Sequence, residues 1–213
     1  RPADAARAAG DQHRFPRQDA VVYGRNAAEA VIDLANRYGA TRLFVTSTKS
    51  LGGPEGLAKK LADELGIIGA GVFDSIASHS PREDVLAGAA AAREADADML
   101  VAFGGGSVID ATKLMQLCLW AGFTRSAQLD PYRLGKGEGR KDPAAIPSGV
   151  RMIAVPTTLS AAEFTPIAGV TDSERKVKEA FTHPDMAPRA VVLDPAMTLE
   201  TPAKLWFSTG MKA

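Results

Sequence analysis

The chain has 213 residues, 46% of them hydrophobic, and its 25 acidic side chains balance its 25 basic ones. That length suits one large globular domain, or one domain and the start of another. A formal net charge of zero lacks the Lys and Arg excess of a nucleic-acid binder, and no apolar run is long enough to span a bilayer. Neither nucleic acid nor membrane is expected as a partner.

The single cysteine, Cys118, allows no intrachain disulfide and suits a reducing, cytoplasmic setting. The three histidines (His13, His79, His183) are far apart. With no HxxxH or CxxC pair there is no recognisable transition-metal site. The start, "RPADAARAAGDQHRFPR", is polar and Ala-rich, without a signal-peptide apolar core. An absent initiator Met and a stop inside a new helical pattern, "FSTGMKA", lead to the expectation that the sequence is part of a longer chain.

In chain order, "AVVYG" (20–24) predicts a short strand. "NAAEAVIDLANRYGA" (26–40) predicts a helix with an Asn cap and a stop at Gly39. "RLFVTS" (42–47) is an apolar strand, and "PEGLAKKLADELG" (54–66) a helix with Pro54 at its start. "AGVFD" (70–74) is a strand. "SPREDVLAGAAAAREADA" (80–97) is a helix with acids in its first turn. "DMLVAF" (98–103) is a strand leading into a helix over 107–121. Residues 123–149, rich in Gly, Pro and charge, predict a long surface excursion. "RMIAVPTT" (151–158) resumes as a strand. "IAGVTDSERKVKEAF" (167–181) reads as strand, turn at 172–174, and strand, and "RAVVLDP" (189–195) is a further strand. A helical pattern begins at Pro202. This alternation predicts a doubly wound, mostly parallel α/β sheet with a β-hairpin insertion. The near-continuous apolar strands agree, because such sheets are covered on both faces.

The stretch "FGGGSVIDATK" (103–113) joins a strand to a helix through four small residues. It fits neither phosphate-loop template: Lys113 has no Gly before it, and Ile109 stands three past Gly106. The underlying physics still applies. Missing Cβ atoms permit close backbone approach, and Ser107 is placed to cap the helix. The helix start would aim unpaired N–H groups and a positive dipole end at the sheet edge where open α/β folds bind ligands. The competing reading is a tight β–α turn with no ligand. "AVPTTLSAAEFTPIAGVTD" (154–172) supplies hydroxyls to the same edge. The other Gly-rich run, "GKGEG" (135–139), leads into no helix and reads as a loop.

Together the two segments resemble the N-terminal, nucleotide-binding domain of the iron-containing alcohol dehydrogenase family, which shares its fold with dehydroquinate synthase and glycerol dehydrogenase. The family's G-G-G-S-x-x-D-x-x-K pattern stands complete from Gly104 to Lys113, and its P-T-T segment as Pro156-Thr157-Thr158. Thr165-Pro166, Thr171-Asp172 and Leu193-Asp194-Pro195 match later elements in order. Within the family, "HSP" (79–81) and "EFTPIAGVT" (163–171) look most like maleylacetate reductases, while "GGGSVIDATK" looks more like the alcohol dehydrogenases.

The resemblance implies a Rossmann-like domain over 20–201, preceded by a polar segment (1–19) and followed at 202–213 by the start of an all-helical domain otherwise absent. It implies NAD or NADP as cofactor, with the pyrophosphate on Gly104, Gly105, Gly106 and Ser107. Asp110 is implied near the cofactor and substrate cleft, although an acid there is also favoured by the helix dipole. Lys113 is either a site residue or a structural partner. Thr157 and Thr158 match nucleotide-contacting threonines, and Thr165 a further cofactor contact. Lys178 matches a lysine on the cofactor ribose, with Lys176 its rival by spacing. Members preferring NAD often carry an acid after the strand that here runs into Ser47, Thr48 and Lys49. None is present, so NADP is expected to be tolerated.

The family's first metal ligand is an Asp in a TG-x-D-A segment; this sequence reads Thr209-Gly210-Met211-Lys212-Ala213. A lysine cannot serve as a hard-cation ligand, so the family's iron or zinc is expected to be absent, with either a metal-free reductase or Lys212 acting as electrophile. Asp110 and Lys212 are the candidate catalytic residues. The implied activity is hydride transfer between nicotinamide and a carbonyl or alcohol carbon of a small-molecule substrate, in a homodimer. The alternatives are a nucleotide-binding unit without chemistry and a dehydroquinate synthase-like lyase.

Overall fold

The apolar strands form the middle of a six-stranded sheet. The structure, a computed structural model, describes residues 17–135 and 138–211. Strands β1 (Ala20–Tyr23), β2 (Leu43–Thr46), β3 (Gly69–Phe73), β4 (Met99–Gly104), β5 (Arg151–Pro156) and β8 (Ala190–Leu193) lie in the order β1-β8-β5-β4-β2-β3. Every pairing is parallel, so all six C-terminal ends share one edge.

Alternate residues of each strand enter different cores. Leu43, Val45, Val101, Phe103, Ile153 and Val192 pack with helices α1 (Ala27–Tyr38) and α2 (Leu57–Glu64). Phe44, Leu100, Ala102, Met152 and Ala154 pack with α3 (Arg82–Glu94) and α4 (Gly106–Ala121) on the opposite face. Two-sided burial explains why these strands are apolar without alternation. Beyond β2 the chain moves outward to β3, whereas beyond β4 it moves to β5 on the other side. The connections thus diverge between β2 and β4, which is where an open parallel sheet leaves a ligand crevice.

Helix ends follow their local chemistry. The Asn26 side-chain Oδ1 accepts from Glu29 N at 3.1 Å, and Gly39 turns left-handed at φ 70 to close α1. The second helix starts later than expected: Gly56, not Pro54, precedes its first residue, because residues 51–56 form a turn held by the Asp74 carboxylate on Gly53 N. The third starts at Arg82 with Pro81 in the cap position. Residues 80–81 do not belong to it, because His79 and Ser80 are left-handed (φ 67 and 52). The excursion carries short 3-10 turns at Ser126–Tyr132 and Pro143–Ala145. Helix α5 (Ala203–Gly210) follows a 3-10 turn at Pro195–Thr198.

β6 (Ile167–Asp172) and β7 (Val177–Thr182) form the expected antiparallel hairpin, as a separate two-stranded sheet. Its inner face buries Ala168, Val170 and Phe181 against the α4 side of the core. A charge network holds its outer half. Buried Arg82 donates to Asp130 at 2.9 Å and to the Glu179 carboxylate. Arg133 donates to the other Glu179 oxygen at 2.8 Å, and Arg175 spans both oxygens of Asp130 at 3.0 and 2.9 Å.

Two tests follow from these tethers. Buried Asp194 accepts from Ala27 N and Ala196 N, both at 2.9 Å, tying the end of β8 to the start of α1. Asp194→Ala leaves both donors unpaired and is expected to cost about 1–3 kcal/mol in urea unfolding. The hydrogen bond from Arg175, joined by Arg82, holds the Asp130 carboxyl at about 2, below its ordinary 3.8. A depressed folded-state value means stability present above pH 4 or so and lost as pH falls toward 2. Asp130→Asn is therefore expected to flatten that limb of the stability–pH curve.

Candidate dinucleotide site

The site is built where β4 and β5 end side by side, Gly104 being paired with Pro156. Gly104 has φ +155, and a Cβ there would lie 2.6 Å from Val108 Cγ2. Gly105 precedes α4 in extended backbone, and its carbonyl accepts from Val108 N and Ile109 N at 3.0 and 3.1 Å. A first turn leaves its leading N–H groups, here Gly106 and Ser107, without intrahelical acceptors.

Ser107 does not cap this helix, contrary to expectation. It lies inside the first turn, and no side-chain cap bond forms. Its Oγ accepts from His79 N at 3.2 Å instead.

The loop after β5 closes over the glycines. Thr157 N donates to Gly104 O at 3.0 Å. A Cβ on Gly105 would stand 3.1 Å from Thr158 Oγ1, and one on Gly106 would stand 2.9 Å from Ser160 Oγ. Part of the demand for glycine therefore comes from the protein's own loop. Thr158 is 6% exposed, and its Oγ1 is buried without a hydrogen-bond partner. A buried hydroxyl left unpaired costs free energy. Its place beside the helix start marks a position where a ligand oxygen would complete the set. An orphan hydroxyl beside N–H groups that lack intrahelical acceptors fits a phosphate or pyrophosphate, and so the phosphate portion of a dinucleotide.

The remaining sequence-predicted residues separate into two groups. Asp110, Lys113 and Thr165 come together as a staple. Lys113 is fully buried, and its Nζ donates to Ala162 O at 2.6 Å, Ile167 O at 2.7 Å, Asp110 Oδ1 at 3.2 Å and Thr165 Oγ1 at 3.4 Å. Burial pushes its ammonium pKa down, opposed by Asp110. The second Asp110 oxygen accepts from Gly169 N at 3.0 Å. Asp110 thus ties α4 to the hairpin through Gly169 N, while its other oxygen accepts from Lys113 within the helix. Thr157 is buried, and its carbonyl accepts from Thr201 Oγ1 at 2.7 Å. Ser47 reaches the edge but is fully buried, its hydroxyl donating to Phe103 O at 2.8 Å. The residues turned out beyond it are Thr48, Lys49 and Ser50. Lys178 is exposed on β7, with its Cε 2.8 Å from where a Gly169 Cβ would stand; the same position lies 3.4 Å from Asp110 Oδ2. Lys176 sits instead in the turn, at φ 55. Lys212 lies outside the described residues.

Sequence reasoning passed over two features. Glu163 is 4% exposed with Oε2 unpaired, and burial raises its carboxyl pKa while Lys113 lowers it. His79 and Ser80 stand in the "HSP" segment, but neither is Gly or Asn, so their residue types do not announce a left-handed turn. Among the described residues, no group of three or more His, Cys, Asp or Glu side chains gathers as a metal site, and no helix is long and apolar enough to cross a membrane.

The chain is similar to known proteins. The chain is 34% identical over 214 residues to dehydrogenase FUM7 of Gibberella moniliformis, covering 95% of this chain and 50% of that protein. It is 32% identical over 193 residues to maleylacetate reductase 2 of Cupriavidus pinatubonensis, covering 91% and 44%. The sulfoacetaldehyde reductase of Bifidobacterium kashiwanohense, solved in complex with NAD+, superposes with a TM-score of 0.80 at 24% identity, over 95% of this chain and 51% of that one. At that identity it shows the shared fold. The chain spans about half the length of the curated relatives it matches. The family model "Iron-containing alcohol dehydrogenase" matches residues 18–195, and the chain belongs to that family.

Proposed function

We propose that this chain is the dinucleotide-binding half of an NAD(P)-dependent oxidoreductase acting on a small carbonyl or alcohol substrate. The unpaired Thr158 hydroxyl beside the glycine floor carries this reading. Bound NAD(P) would supply the hydride. The chain's own residues bind and orient: the Gly106 and Ser107 N–H groups and the Thr158 and Ser107 hydroxyls receive the phosphates, and Lys178 receives a ribose hydroxyl. The Lys113–Asp110 staple keeps the hairpin bearing Lys178 against α4. The relatives named maleylacetate reductase favour an acidic carbonyl substrate over a simple aldehyde.

Three finer points belong to the same proposal. NADP is tolerated, because the residues past β2 are Ser47, Thr48 and exposed Lys49, with no acid to repel a 2′-phosphate. The family's metal is not held at residue 212, where a lysine stands; one tightly bound iron or zinc per chain in the full-length protein would refute that. The setting is cytoplasmic and the assembly a homodimer. The first is supported by the single cysteine, Cys118, whose thiol is free and buried.

Titration with NADH and NADPH tests the cofactor reading. Saturable binding is expected, with NADPH no more than about tenfold weaker, since ten times is only about 1.4 kcal/mol. Thr158→Val separates a ligand group from a packing group. Removing an unpaired buried hydroxyl is expected to leave unfolding stability unchanged or raised, while dinucleotide affinity falls about three- to tenfold. Unchanged affinity would remove Thr158 from the site.

A further inference from the structure

His79 and Ser80 are consecutive non-glycine residues in the left-handed region, φ 67 and 52. That conformation costs free energy for a residue with a Cβ, and it persists only where surroundings over-determine it. Here they do. His79 N donates to Ser107 Oγ at 3.2 Å, and its carbonyl accepts from Thr171 Oγ1 at 2.9 Å. Ser80 Oγ donates to Ser107 O at 2.7 Å, and its carbonyl accepts from Thr171 N at 3.1 Å. The turn is stitched on one side to the first turn of α4 and on the other to the hairpin.

Ser80 is buried, whereas His79 is exposed. Among the described residues the His79 ring makes no hydrogen bond, ion pair or ring stack. His183 shows the contrast: one ring nitrogen lies 3.0 Å from Ile146 O, the other accepts from Asp185 N, and the ring packs edge-on to Trp120. A strained, four-fold tethered main chain thus holds exposed His79 between the first turn of α4 and the hairpin that carries Lys178. The unpaired Thr158 hydroxyl independently marks that helix start as a ligand position.

We propose that His79 is a binding residue of this site, its imidazole donating to an anionic oxygen of the bound ligands. That oxygen belongs either to the pyrophosphate or to a carboxylate on the carbonyl substrate. The proposal rests on the dinucleotide reading above. The His79 N–H on Ser107 Oγ also leaves the Ser107 hydroxyl proton available to the same anion, so the turn positions one donor while presenting another.

His79→Gly tests it, because glycine relieves the strained backbone and keeps the N–H that reaches Ser107. Its melting temperature is expected to be equal or higher. If the anion is the pyrophosphate, ADP and NADPH both bind about fivefold or more weakly, the loss of one hydrogen bond. If it is the substrate carboxylate, ADP and NADPH affinities hold, and in the full-length enzyme KM rises for an acidic carbonyl and not for a neutral aldehyde. His79→Asn, which tolerates the left-handed backbone and keeps a neutral donor, is expected to recover part of either loss. His79→Gly leaving ADP, NADPH and acidic-substrate KM all unchanged overturns the proposal. Failure of the unmutated protein to bind ADP or NADPH overturns the dinucleotide reading itself.

Discussion

The structure depends on a close approach between two pieces of main chain. The turn from β4 into α4 and the loop leaving β5 meet with so little space that added Cβ atoms at Gly105 and Gly106 would press on Thr158 and Ser160. The parallel pairing of β4 with β5 brings the two ends together. The divergence of connections between β2 and β4 leaves the edge open beside them. Everything proposed for function uses this meeting point. N–H groups and the Ser107 hydroxyl come from one piece, the Thr158 hydroxyl from the other.

The second constraint is the buried ammonium of Lys113. Its four acceptors come from α4, the loop after β5 and the hairpin. Removing a cation from water is costly unless partners repay it, so these segments have to stay together. Asp110 completes the arrangement through Gly169 N. The motif G-G-G-S-x-x-D-x-x-K thereby divides into two tasks. Its glycines and serine make the turn into α4, while its Asp and Lys tie the hairpin to that helix.

Much of this was legible in the sequence. Strands buried on both faces read as apolar runs, and the Asn26 and Gly39 ends of α1 announce themselves by side-chain chemistry. The meeting of the Gly-rich and Thr-rich segments followed from each succeeding an apolar strand. What stayed hidden depends on contacts distant in sequence. Ser107 has the residue type of a helix cap, but main-chain geometry puts it two positions past the cap at Gly105, and His79 N–H donates to its oxygen. Ser47 follows its strand as a residue of the cofactor side, but the end of β4 is close enough to take its hydroxyl. The delayed start of α2 follows from Asp74, some twenty residues away, holding the preceding turn. The His79–Ser80 turn had no local signature, because its strain is imposed by Ser107 and Thr171.

The two readings of the glycines, tight turn and ligand floor, turn out to be compatible. The neighbouring loop already requires small residues at Gly105 and Gly106, and the leading N–H groups of α4 have no intrahelical acceptors. The central claim is that these N–H groups are the seat of the phosphates. Following the backbone amide resonances by NMR during titration with ADP tests it most directly. The account predicts that the largest saturable shifts fall on Gly106, Ser107 and Thr158. Saturable shifts confined elsewhere, such as the groove lined by Lys59, Gly69 and Gly71 at the β3 edge, would contradict it.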